Sequence, residues 1–550
     1  MRNHILLYIN QQRIEARDNH AFMSLSDFIR LHLRQTGTKV VCAEGDCGSC
    51  TVLLGRIVDK QIRYEPVCSC IQYLYQLDGT HVINVEGLTY DAELNPVQQS
   101  MVACQGAQCG YCTPGFVVAM HQLFEDGQSR NEAAVKRALT GNLCRCTGYD
   151  PILKAARETD MSKMRRIAEL FPIEKISSEL SAAANDPVQI NYAGKTFFKP
   201  TVISDACRFR AGHPDCTLIT GGTDIGVQVN KGIRQITAVM NLHGVSQRSI
   251  EIKNDYLLAG AGATLTELFR ACEEYFPEFA NLLDIFGSPL IRNAGTLAGN
   301  LANGSPIGDT LPPLFVMNAE IELTGINGSR WVNINSFYVG YRKTIMGEDE
   351  LITAIKIPLP KPDEIVKFYK VSRRRDLDIS TFAAAIFLRL SGKLIHEIRI
   401  ALGGVGPVVL RLSKTESALT NQLFTEDAML EASNLALSEI TPITDVRGSA
   451  NYRNRLAANT LLRFYHDITG QPSNGNGHPK SPPDHGDNGR DSSSFILQAS
   501  SLISNPHPTP PPEYKGREGE GDGRDGHSSS SNIQRSALSS NPPSEQKESE

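Results

Sequence analysis

The distribution of cysteine constrains this 550-residue chain more than any other feature of its sequence. Ten of the thirteen cysteines lie between Cys42 and Cys146, and the segment CAEGDCGSC at residues 42–50 holds three of them. Disulfides are disfavoured in a reducing compartment, where clustered cysteines indicate metal binding instead. The three later cysteines have no ligand spacing and are predicted to be buried small side chains; they are Cys207, Cys216 and Cys272.

Length and composition describe a multidomain protein of ordinary polarity. A chain of 550 residues is too long for one core, so we expect three or more domains. A net charge of −5 gives no general electrostatic case for nucleic-acid binding. The chain has no apolar run long enough to cross a bilayer, and its first residues lack the apolar core and cleavage site of a signal peptide. We therefore expect a cytoplasmic protein without a membrane partner.

Changes in residue pattern along the chain predict an α+β architecture with several domains. In the first domain, residues 24–37 predict a capped amphipathic helix that ends near Gly37. In the second domain, one helix is predicted to begin at a capping Asn131 and another at Asp150, where a cap is followed by a proline. The expected segments are short strands with one helix over 1–88, a helical bundle over 89–165, a linker over 166–190, alternating strands and helices over 191–365, an α+β module over 366–470, and a disordered low-complexity tail over 471–550.

The first cysteine set has the spacing C-x4-C-x2-C of plant-type ferredoxins, beginning at Cys42. This spacing needs a fourth ligand further along the chain, for which Cys68 and Cys70 are candidates. Gly45 and Gly48 allow the tight loop that brings backbone N–H groups to an anionic [2Fe–2S] cluster. Zinc is the alternative, although zinc sites usually pair two knuckles of similar form.

The second cysteine set lies in CQGAQCGYCTPG at residues 104–115 and GNLCRCTGYDP at residues 141–151. Its five thiols compete for four positions, either as a repeat of the first spacing that begins at Cys104 or as two close pairs. Helices predicted to start just after each pair favour the pairs, because both helix N-termini then face one anionic cluster. A structural zinc ion is again the alternative. The two pairs are Cys109, Cys112, Cys144 and Cys146.

The segments CAEGDCGSCTVLL, QCGYCTPG and GNLCRCTGYDPIL closely resemble the iron–sulfur part of the molybdenum hydroxylases, the family of xanthine dehydrogenase and aldehyde oxidoreductase. The resemblance implies a β-grasp, ferredoxin-like [2Fe–2S] domain followed by a helical-bundle [2Fe–2S] domain. It leaves Cys68 and Cys104 outside the ligand pattern. It assigns Cys42, Cys47, Cys50 and Cys70 to one cluster, and Cys109, Cys112, Cys144 and Cys146 to the other.

Two glycine-rich loops further along the chain are candidates for binding a dinucleotide. In LITGG at residues 218–222 an apolar strand runs into glycines, and backbone N–H groups from Gly221 to Asp224 are expected to meet a pyrophosphate. In NAGTLAGNLANGSPIGD at residues 293–309, Thr296 and Asn300 add donors among small residues. Either loop alone is a common turn, so the interpretation depends on the pair and on the cysteine sets.

These loops also resemble the flavin part of the same family, as do FYVGYRKT at residues 337–344 and FYKVSRRRDLDIS at residues 368–380. The resemblance covers residues 1–470 and implies an α+β FAD-binding domain of the PCMH type and an α+β C-terminal flavoprotein domain. The basic run at 372–376 is predicted to be a solvated face. The implied FAD contacts are Leu218, Ile219, Thr220, Gly221, Gly222, Thr223, Asp224, Ile225, Phe286, Thr296, Leu297, Ala298, Gly299, Asn300, Asp309, Ile352 and Lys370.

The order of two [2Fe–2S] parts and one FAD part resembles the small subunit of a bacterial xanthine dehydrogenase. The resemblance implies electron transfer from a purine, oxidised at a molybdopterin-binding large subunit, through both clusters to FAD and on to NAD. It further implies a heterotetramer, and we expect no catalytic residue for purine chemistry in this chain. The alternatives are a subunit that serves oxidation of an aldehyde or another N-heterocycle, a flavoprotein that oxidises NADH without a partner, and a zinc- and flavin-binding assembly protein without turnover.

Overall fold

The first domain is a five-stranded mixed sheet built from two apolar hairpins and one inserted strand. Its strands lie in the order β2-β1-β5-β3-β4, with β1 parallel to β5 and the other pairs antiparallel. The computed structural model describes residues 1–91 and 93–470, so the predicted disordered tail lies outside the described residues. The strands are β1 (Ile5–Ile9), β2 (Gln12–Ala16), β3 (Thr51–Val58), β4 (Gln61–Cys68) and β5 (Thr80–Ile83).

The helix predicted over residues 24–37 is shorter and less regular than expected. Ser24 caps it as predicted, since its hydroxyl accepts from the backbone N–H of Asp27. A three-residue α1 (Leu25–Asp27) continues as one π-helical turn, Phe28–His32, and the helix ends there rather than near Gly37. The buried side chains of Leu25, Phe28 and Ile29 pack in the core of the first sheet.

The second domain is the predicted bundle of short helices. Its core contains Phe116, Met120 and Leu123 of α3, and this helix is buried on all sides from Gly115 to Phe124. The residue before Asp150, Tyr149, occupies the N-cap position of α5 in a left-handed conformation with φ of 72°, so the predicted cap at Asp150 is shifted by one residue. The helices are α2 (Pro96–Ala103), α3 (Thr113–Glu125), α4 (Glu132–Ala138) and α5 (Asp150–Glu158).

The segment 166–190, expected to be a linker, contains two helices, α6 (Ile167–Leu170) and α7 (Ile173–Ala184). The apolar face of α7 is buried in the bundle core through Ile176 and Leu180. The alanine- and serine-rich composition of this segment predicted a linker. Ile176 and Leu180, however, are four residues apart, so they lie on one face of α7 and can be buried together.

Residues 188 to 358 form two sheets with helices between their strands. One sheet has the order β6-β7-β9-β8 and the other β10-β11-β16-β12-β13, with a short hairpin β14–β15 beside them. The strands are β6 (Val188–Tyr192), β7 (Lys195–Lys199), β8 (Thr217–Ile219), β9 (Ala238–Asn241), β10 (Ile250–Lys253), β11 (Tyr256–Gly260), β12 (Glu320–Gly325), β13 (Gly328–Asn333), β14 (Tyr338–Gly340), β15 (Lys343–Thr344) and β16 (Leu351–Pro358). The helices are α8 (Ile203–Gly212), α9 (Thr223–Asn230), α10 (Leu265–Tyr275), α11 (Pro277–Asp284), α12 (Pro289–Arg292), α13 (Leu297–Asn303) and α14 (Leu311–Val316).

The last described module is a four-stranded antiparallel sheet in sequence order, with three helices packed on it. Its strands are β17 (Glu364–Val371), β18 (Phe382–Ser391), β19 (Leu394–Gly403) and β20 (Leu410–Arg411), and its helices are α15 (Ser413–Leu419), α16 (Glu426–Ala436) and α17 (Ala450–Thr469). Among the described residues no helix is both long and apolar enough to cross a membrane. The multidomain α+β architecture predicted from the sequence is confirmed for residues 1–470.

A buried ionic network fastens the first sheet to the third domain. The carboxylate of Asp78, which has no exposed side-chain surface, accepts from both terminal nitrogens of Arg2 at 2.9 and 2.8 Å and from Nζ of Lys199 at 2.6 Å. Arg2 also donates to the carbonyl oxygen of Ala183 in α7. One carboxylate therefore joins the amino-terminal strand, α7 and β7.

Candidate functional site

The first cysteine loop contains three residues with left-handed backbone conformations. Gly45 and Gly48 have φ of 79° and 67°, and Ala43 adopts a left-handed conformation as well, with φ of 55°. A Cβ at Gly48 would lie 2.5 Å from the carbonyl oxygen of Gly141, so a side chain there would collide with the second domain. Glycine at this position serves both the turn and the close approach of the two domains.

The thiols of the first set lie in contact in a row. Sγ of Cys42 contacts those of Cys47 and Cys70, and Cys70 also contacts Cys50. Cys68 contacts Cys50 from the other side, and its Sγ lies 3.4 Å from the carbonyl oxygen of Gly45. The structure thus brings together the four thiols that the resemblance assigns to one cluster and places Cys68 beside them.

Crowding of these thiols has an electrostatic consequence. Contact with Cys47 and Cys70 lowers the pKa of Cys42, whereas contact with Cys42 raises the pKa of Cys47 and of Cys70. Contact with Cys68 and Cys70 also lowers the pKa of Cys50. The protein alone therefore favours thiolates at Cys42 and Cys50 beside protonated neighbours, because adjacent like charges are costly. Four thiolates at this place require a cationic centre, which is the charge that bound iron supplies.

The structure brings together the predicted pairs, Cys109 with Cys112 and Cys144 with Cys146, and the thiol contacts run from one pair to the other. Sγ of Cys146 and Sγ of Cys109 are 3.5 Å apart at the surface, and Cys112 contacts Cys144. Cys104 lies elsewhere, donating to a carboxylate oxygen of Glu158 at 3.2 Å. Within residues 1–91 and 93–470, no three side chains of His, Cys, Asp or Glu meet as they would around a single metal ion. Two contacting pairs suit a two-iron centre, in which two side chains bind each iron.

The segments of the two cysteine sets are joined by hydrogen bonds to backbone carbonyl oxygens. The N–H of Leu143, the residue before Cys144, donates to the carbonyl oxygen of Cys47 at 2.9 Å. The side-chain amide of Asn142 donates to the carbonyl oxygen of Gly48 at 3.0 Å. A Cβ at Gly115, near the start of α3, would lie 2.1 Å from that same oxygen. The segments that carry the two sets are therefore in direct contact.

The first glycine-rich loop presents the free N-terminus of a helix. The apolar strand β8 delivers the chain to Gly221 and Gly222, and α9 begins directly after them. Gly222 has φ of 65° and, as the N-cap, offers no side-chain acceptor to the first N–H groups of α9. Those N–H groups have no partner within the helix, and together with the helix dipole they fit the pyrophosphate of FAD.

The second glycine-rich loop packs against the first. A Cβ at Gly221 would lie 2.1 Å from the carbonyl oxygen of Ala294, two residues before Thr296. Thr296 caps α13 by accepting from the N–H of Gly299 at 3.0 Å. Leu297 and Ala298 are buried in a core cluster that also holds Ile352, with Phe286 packed at its edge. Asn300 accepts from the hydroxyl of Thr310 at 2.7 Å.

Asp309 and Lys370, both assigned to FAD by resemblance, form a buried ion pair. Nζ of Lys370 lies 2.7 Å from one carboxylate oxygen of Asp309 and donates to the carbonyl oxygen of Ile285 at 3.1 Å. Ser380 donates to the other carboxylate oxygen. Lys370 therefore joins the strand β17 to the residue before Phe286. The basic run at 372–376 is exposed at Arg374, which pairs with Asp378 at 2.6 Å.

The helix α9 also contacts the first cysteine set. A Cβ at Gly226 would lie 2.2 Å from the carbonyl oxygen of Ile71, so helix and cysteine segment touch backbone to backbone. At the other end of α9, the amide of Asn230 donates to the carbonyl oxygens of Ala43 and Cys70 at 2.8 and 2.9 Å. The helix α9 thus begins at the first glycine-rich loop and contacts the segment that carries the first cysteine set.

Sequence reasoning missed the residues that join these parts, among them Asn142, Asn230, Gln72 and Gln76. Each lies near a motif, but its partner is between 94 and 187 residues away in the chain. The one local signal is an amide side chain within a few positions of a cysteine or glycine motif, which is common in surface loops.

Comparison with known proteins identifies three domains along the chain. Residues 84–157 match a [2Fe-2S] binding domain, residues 190–360 the FAD binding domain in molybdopterin dehydrogenase, and residues 367–468 the CO dehydrogenase flavoprotein C-terminal domain. Each match falls on one of the structural units described above.

Two relatives that match this chain along most of its length are less than 30% identical to it. Xanthine dehydrogenase 1 of Arabidopsis thaliana is 29% identical over 556 residues, covering 87% of this chain and 41% of that protein. The xanthine dehydrogenase of Emericella nidulans is 28% identical over 533 residues, covering 85% of this chain and 39% of that protein. The chain thus spans about two fifths of the length of these relatives. A solved chain of the Hydrogenophaga pseudoflava carbon monoxide dehydrogenase that lacks the Mo-pyranopterin moiety is 26% identical, with a TM-score of 0.47, covering 48% of this chain and 94% of that one.

Proposed function

Because the chain carries the iron–sulfur and flavin domains of the molybdenum hydroxylase family, we propose that it is the electron-transfer subunit of a xanthine dehydrogenase. When bound, two [2Fe–2S] clusters would supply one-electron transfer from a molybdopterin partner, and FAD would supply the two-electron chemistry that reduction of NAD requires. The similarity of xanthine dehydrogenases along most of the chain supports purine as the partner's substrate. Oxidation of an aldehyde or another N-heterocycle by the partner is the competing proposal.

One observation carries this proposal: the first cysteine set is hydrogen-bonded on one side to the residue before Cys144 and on the other to the end of α9, the helix that begins at the glycine-rich loop. Leu143 donates to Cys47 on one side, and Asn230 donates to Cys70 on the other. The ligands we propose for the first cluster are Cys42, Cys47, Cys50 and Cys70, and those for the second are Cys109, Cys112, Cys144 and Cys146. The residues of the chain thereby hold two one-electron centres and a flavin in linear order.

The surface at the second cysteine set supports a docking site for the molybdopterin partner. Cys109 and Cys146 are exposed, and Tyr111, which lies between Cys109 and Cys112 in the sequence, is 55% exposed. A cluster that is open on one face is accessible to an incoming electron donor. The first set, in contrast, is half-buried at Cys42 and Cys47 and fully buried at Cys50.

Metal and flavin analysis of the full chain tests the proposal. Protein produced anaerobically with ample iron is expected to be brown, to bleach with dithionite, and to contain iron, acid-labile sulfide and FAD but no stoichiometric zinc. Addition of a molybdopterin subunit is then expected to give xanthine-dependent reduction of NAD. Stoichiometric zinc with negligible iron would contradict the electron-transfer proposal, and turnover of aldehyde without turnover of xanthine would favour the competing substrate.

A further inference from the structure

Two buried glutamines of the first domain reach the glycine-rich loop of the third domain. Nε2 of Gln72 lies 3.3 Å from the carbonyl oxygen of Gly221, and Nε2 of Gln76 lies 3.2 Å from the same oxygen. Each glutamine is only 1% exposed. One carbonyl group therefore accepts from two side-chain amides that belong to another domain.

The contacts fix which end of each amide faces Gly221. Oε1 of Gln76 accepts from the backbone N–H of Tyr73 at 2.7 Å, which leaves its NH2 group for Gly221. A carbonyl oxygen only accepts, so Gln72 must also present its NH2 group. Oε1 of Gln72 is then buried without a hydrogen-bond partner among the described residues. The bond to Gly221 is thus the one hydrogen bond that the Gln72 side chain makes within that part of the chain.

The direction of the Gly221 carbonyl determines the direction of the next N–H group. In a planar trans peptide the C=O of Gly221 and the N–H of Gly222 point in opposite directions. Since the glutamines hold the carbonyl toward the iron–sulfur domain, the N–H of Gly222 points away from it. A Cβ at Gly222 would lie 2.1 Å from Nε2 of Gln76, so this fit requires glycine.

We propose that Gln72 and Gln76 are positioning residues for FAD, which fix the Gly221–Gly222 peptide with its N–H toward the pyrophosphate. The inference rests on the proposed binding of FAD at this loop. The flavin site is then complete only when the first iron–sulfur domain is docked on the flavin domain. Flavin affinity accordingly depends on two side chains from outside the domain that holds the flavin.

Gln72→Leu is the sharpest probe, because it removes one donor to Gly221 together with an unpaired buried acceptor. We expect the dissociation constant of FAD to rise about fivefold, as loss of one net hydrogen bond predicts. Because Gln72→Leu also removes a buried acceptor that has no partner among the described residues, we expect its melting temperature, measured with both clusters bound and FAD absent, to equal or exceed that of the wild type. Gln72→Glu places a carboxylate against the carbonyl oxygen, and we expect it to weaken FAD binding more than about tenfold.

The matched control is Gln122→Leu in α3. Gln122 is also buried, donates one hydrogen bond, to Asp126 at 2.7 Å, and has a buried Oε1 without a partner among the described residues. It lies in the helical bundle and does not contact the flavin loop, so FAD affinity is expected to stay at the wild-type value. Iron content of each full-length variant, measured alongside, confirms that both clusters are assembled.

The outcomes separate this inference from the proposed function. Wild-type protein that binds iron but no FAD would refute the flavin part of the proposed function itself. Wild-type protein that binds FAD, with Gln72→Leu and Gln72→Glu binding it equally well, would refute the positioning role alone. A parallel fall of melting temperature and FAD affinity in Gln72→Leu would indicate a purely structural role and would also overturn the inference.

Discussion

Neutralising Asp78 is predicted to loosen the junction between the first domain and the flavin domain. Its carboxylate is fully buried and accepts from Arg2, Lys199 and the backbone N–H of Leu6 at distances of 2.6 to 2.9 Å. Removing one partner from a buried ionic network costs about 3 to 5 kcal/mol, because the remaining charges stay buried without compensation. Asparagine keeps the shape and one acceptor oxygen, so we expect Asp78→Asn to lie near the lower end, at about 3 kcal/mol.

Arg2 offers a matched control for this measurement. Its Nε also lies 3.7 Å from the carboxylate of Asp186, whose side chain is 56% exposed. Exposed ion pairs contribute about 0 to 1 kcal/mol, so Asp186→Asn is expected to have little effect on the same arginine. Asp78→Asn combined with Lys199→Met removes the surplus cation and is expected to recover part of the lost stability.

Urea unfolding at pH 7, followed by the release of flavin fluorescence, measures this effect. With a slope of about 3 kcal/mol per molar, a loss of about 3 kcal/mol lowers the midpoint by about 1 M. Burial by itself raises the pKa of Asp78, but Arg2 and Lys199 outweigh burial and hold that pKa below its usual value. The stabilisation is therefore complete above the unfolded pKa and is lost as the pH falls through the folded pKa. Equal midpoints for Asp78→Asn and Asp186→Asn at pH 7 would refute the reasoning.

Three further changes have defined outcomes. Burial lowers the pKa of His121 from 6.5 to about 4, so the unfolded state binds the proton first, and up to about 3 kcal/mol of stability is lost as the pH falls from 6.5 to 4. His121→Leu should therefore flatten that part of the stability–pH profile, and an unchanged slope would contradict the assignment. Cys109→Ser is expected to remove one of two cluster signals in paramagnetic resonance while FAD stays bound, whereas Cys104→Ser should leave both signals, and loss of a signal in the latter would return Cys104 to the ligand set. Gly226→Ala puts a Cβ 2.2 Å from the carbonyl oxygen of Ile71 and should lower both the stability of the protein and the rate of electron transfer from the first cluster to FAD. Gly212→Ala has open space around it and should change neither. Rapid-mixing reduction experiments on both variants measure the rate.

The order of the first three domains could be predicted from the sequence because each of them contains a local signal. Cysteine spacing marked the first two domains, and an apolar strand running into two glycines marked the start of the flavin loop at Gly221. The caps at Ser24 and Asn131 stand where the sequence placed them, since a cap depends on residues within three positions of it. Local chemistry was sufficient wherever the structure depends on neighbours in the chain.

Prediction failed where packing at long range decided the structure. The helix expected to reach Gly37 ends at His32 in a π-helical turn, whose Phe28 and Ile29 are buried in a core that includes residues from far along the chain. Residues 166–190 fold as α6 and α7 because the bundle core offers a surface for Ile176. Spacing alone also left the fourth ligand of the first set open, and the structure places both Cys68 and Cys70 in contact with Cys50.

Contacts at the domain junctions explain why the site could not be assembled from its motifs. Asn230 joins Cys70 across 160 residues, and Asn142 joins Gly48 across 94. These junctions consist of glycine approaches and amide-to-carbonyl hydrogen bonds, which have no periodicity and no characteristic spacing in a sequence. Their chemistry still follows a rule: where two backbones must touch, a residue without Cβ and a neighbouring amide donor satisfy packing and hydrogen bonding together. Because all the thiols of the first set lie between two such junctions, any substitution that separates the domains acts on the cluster and the flavin loop at once.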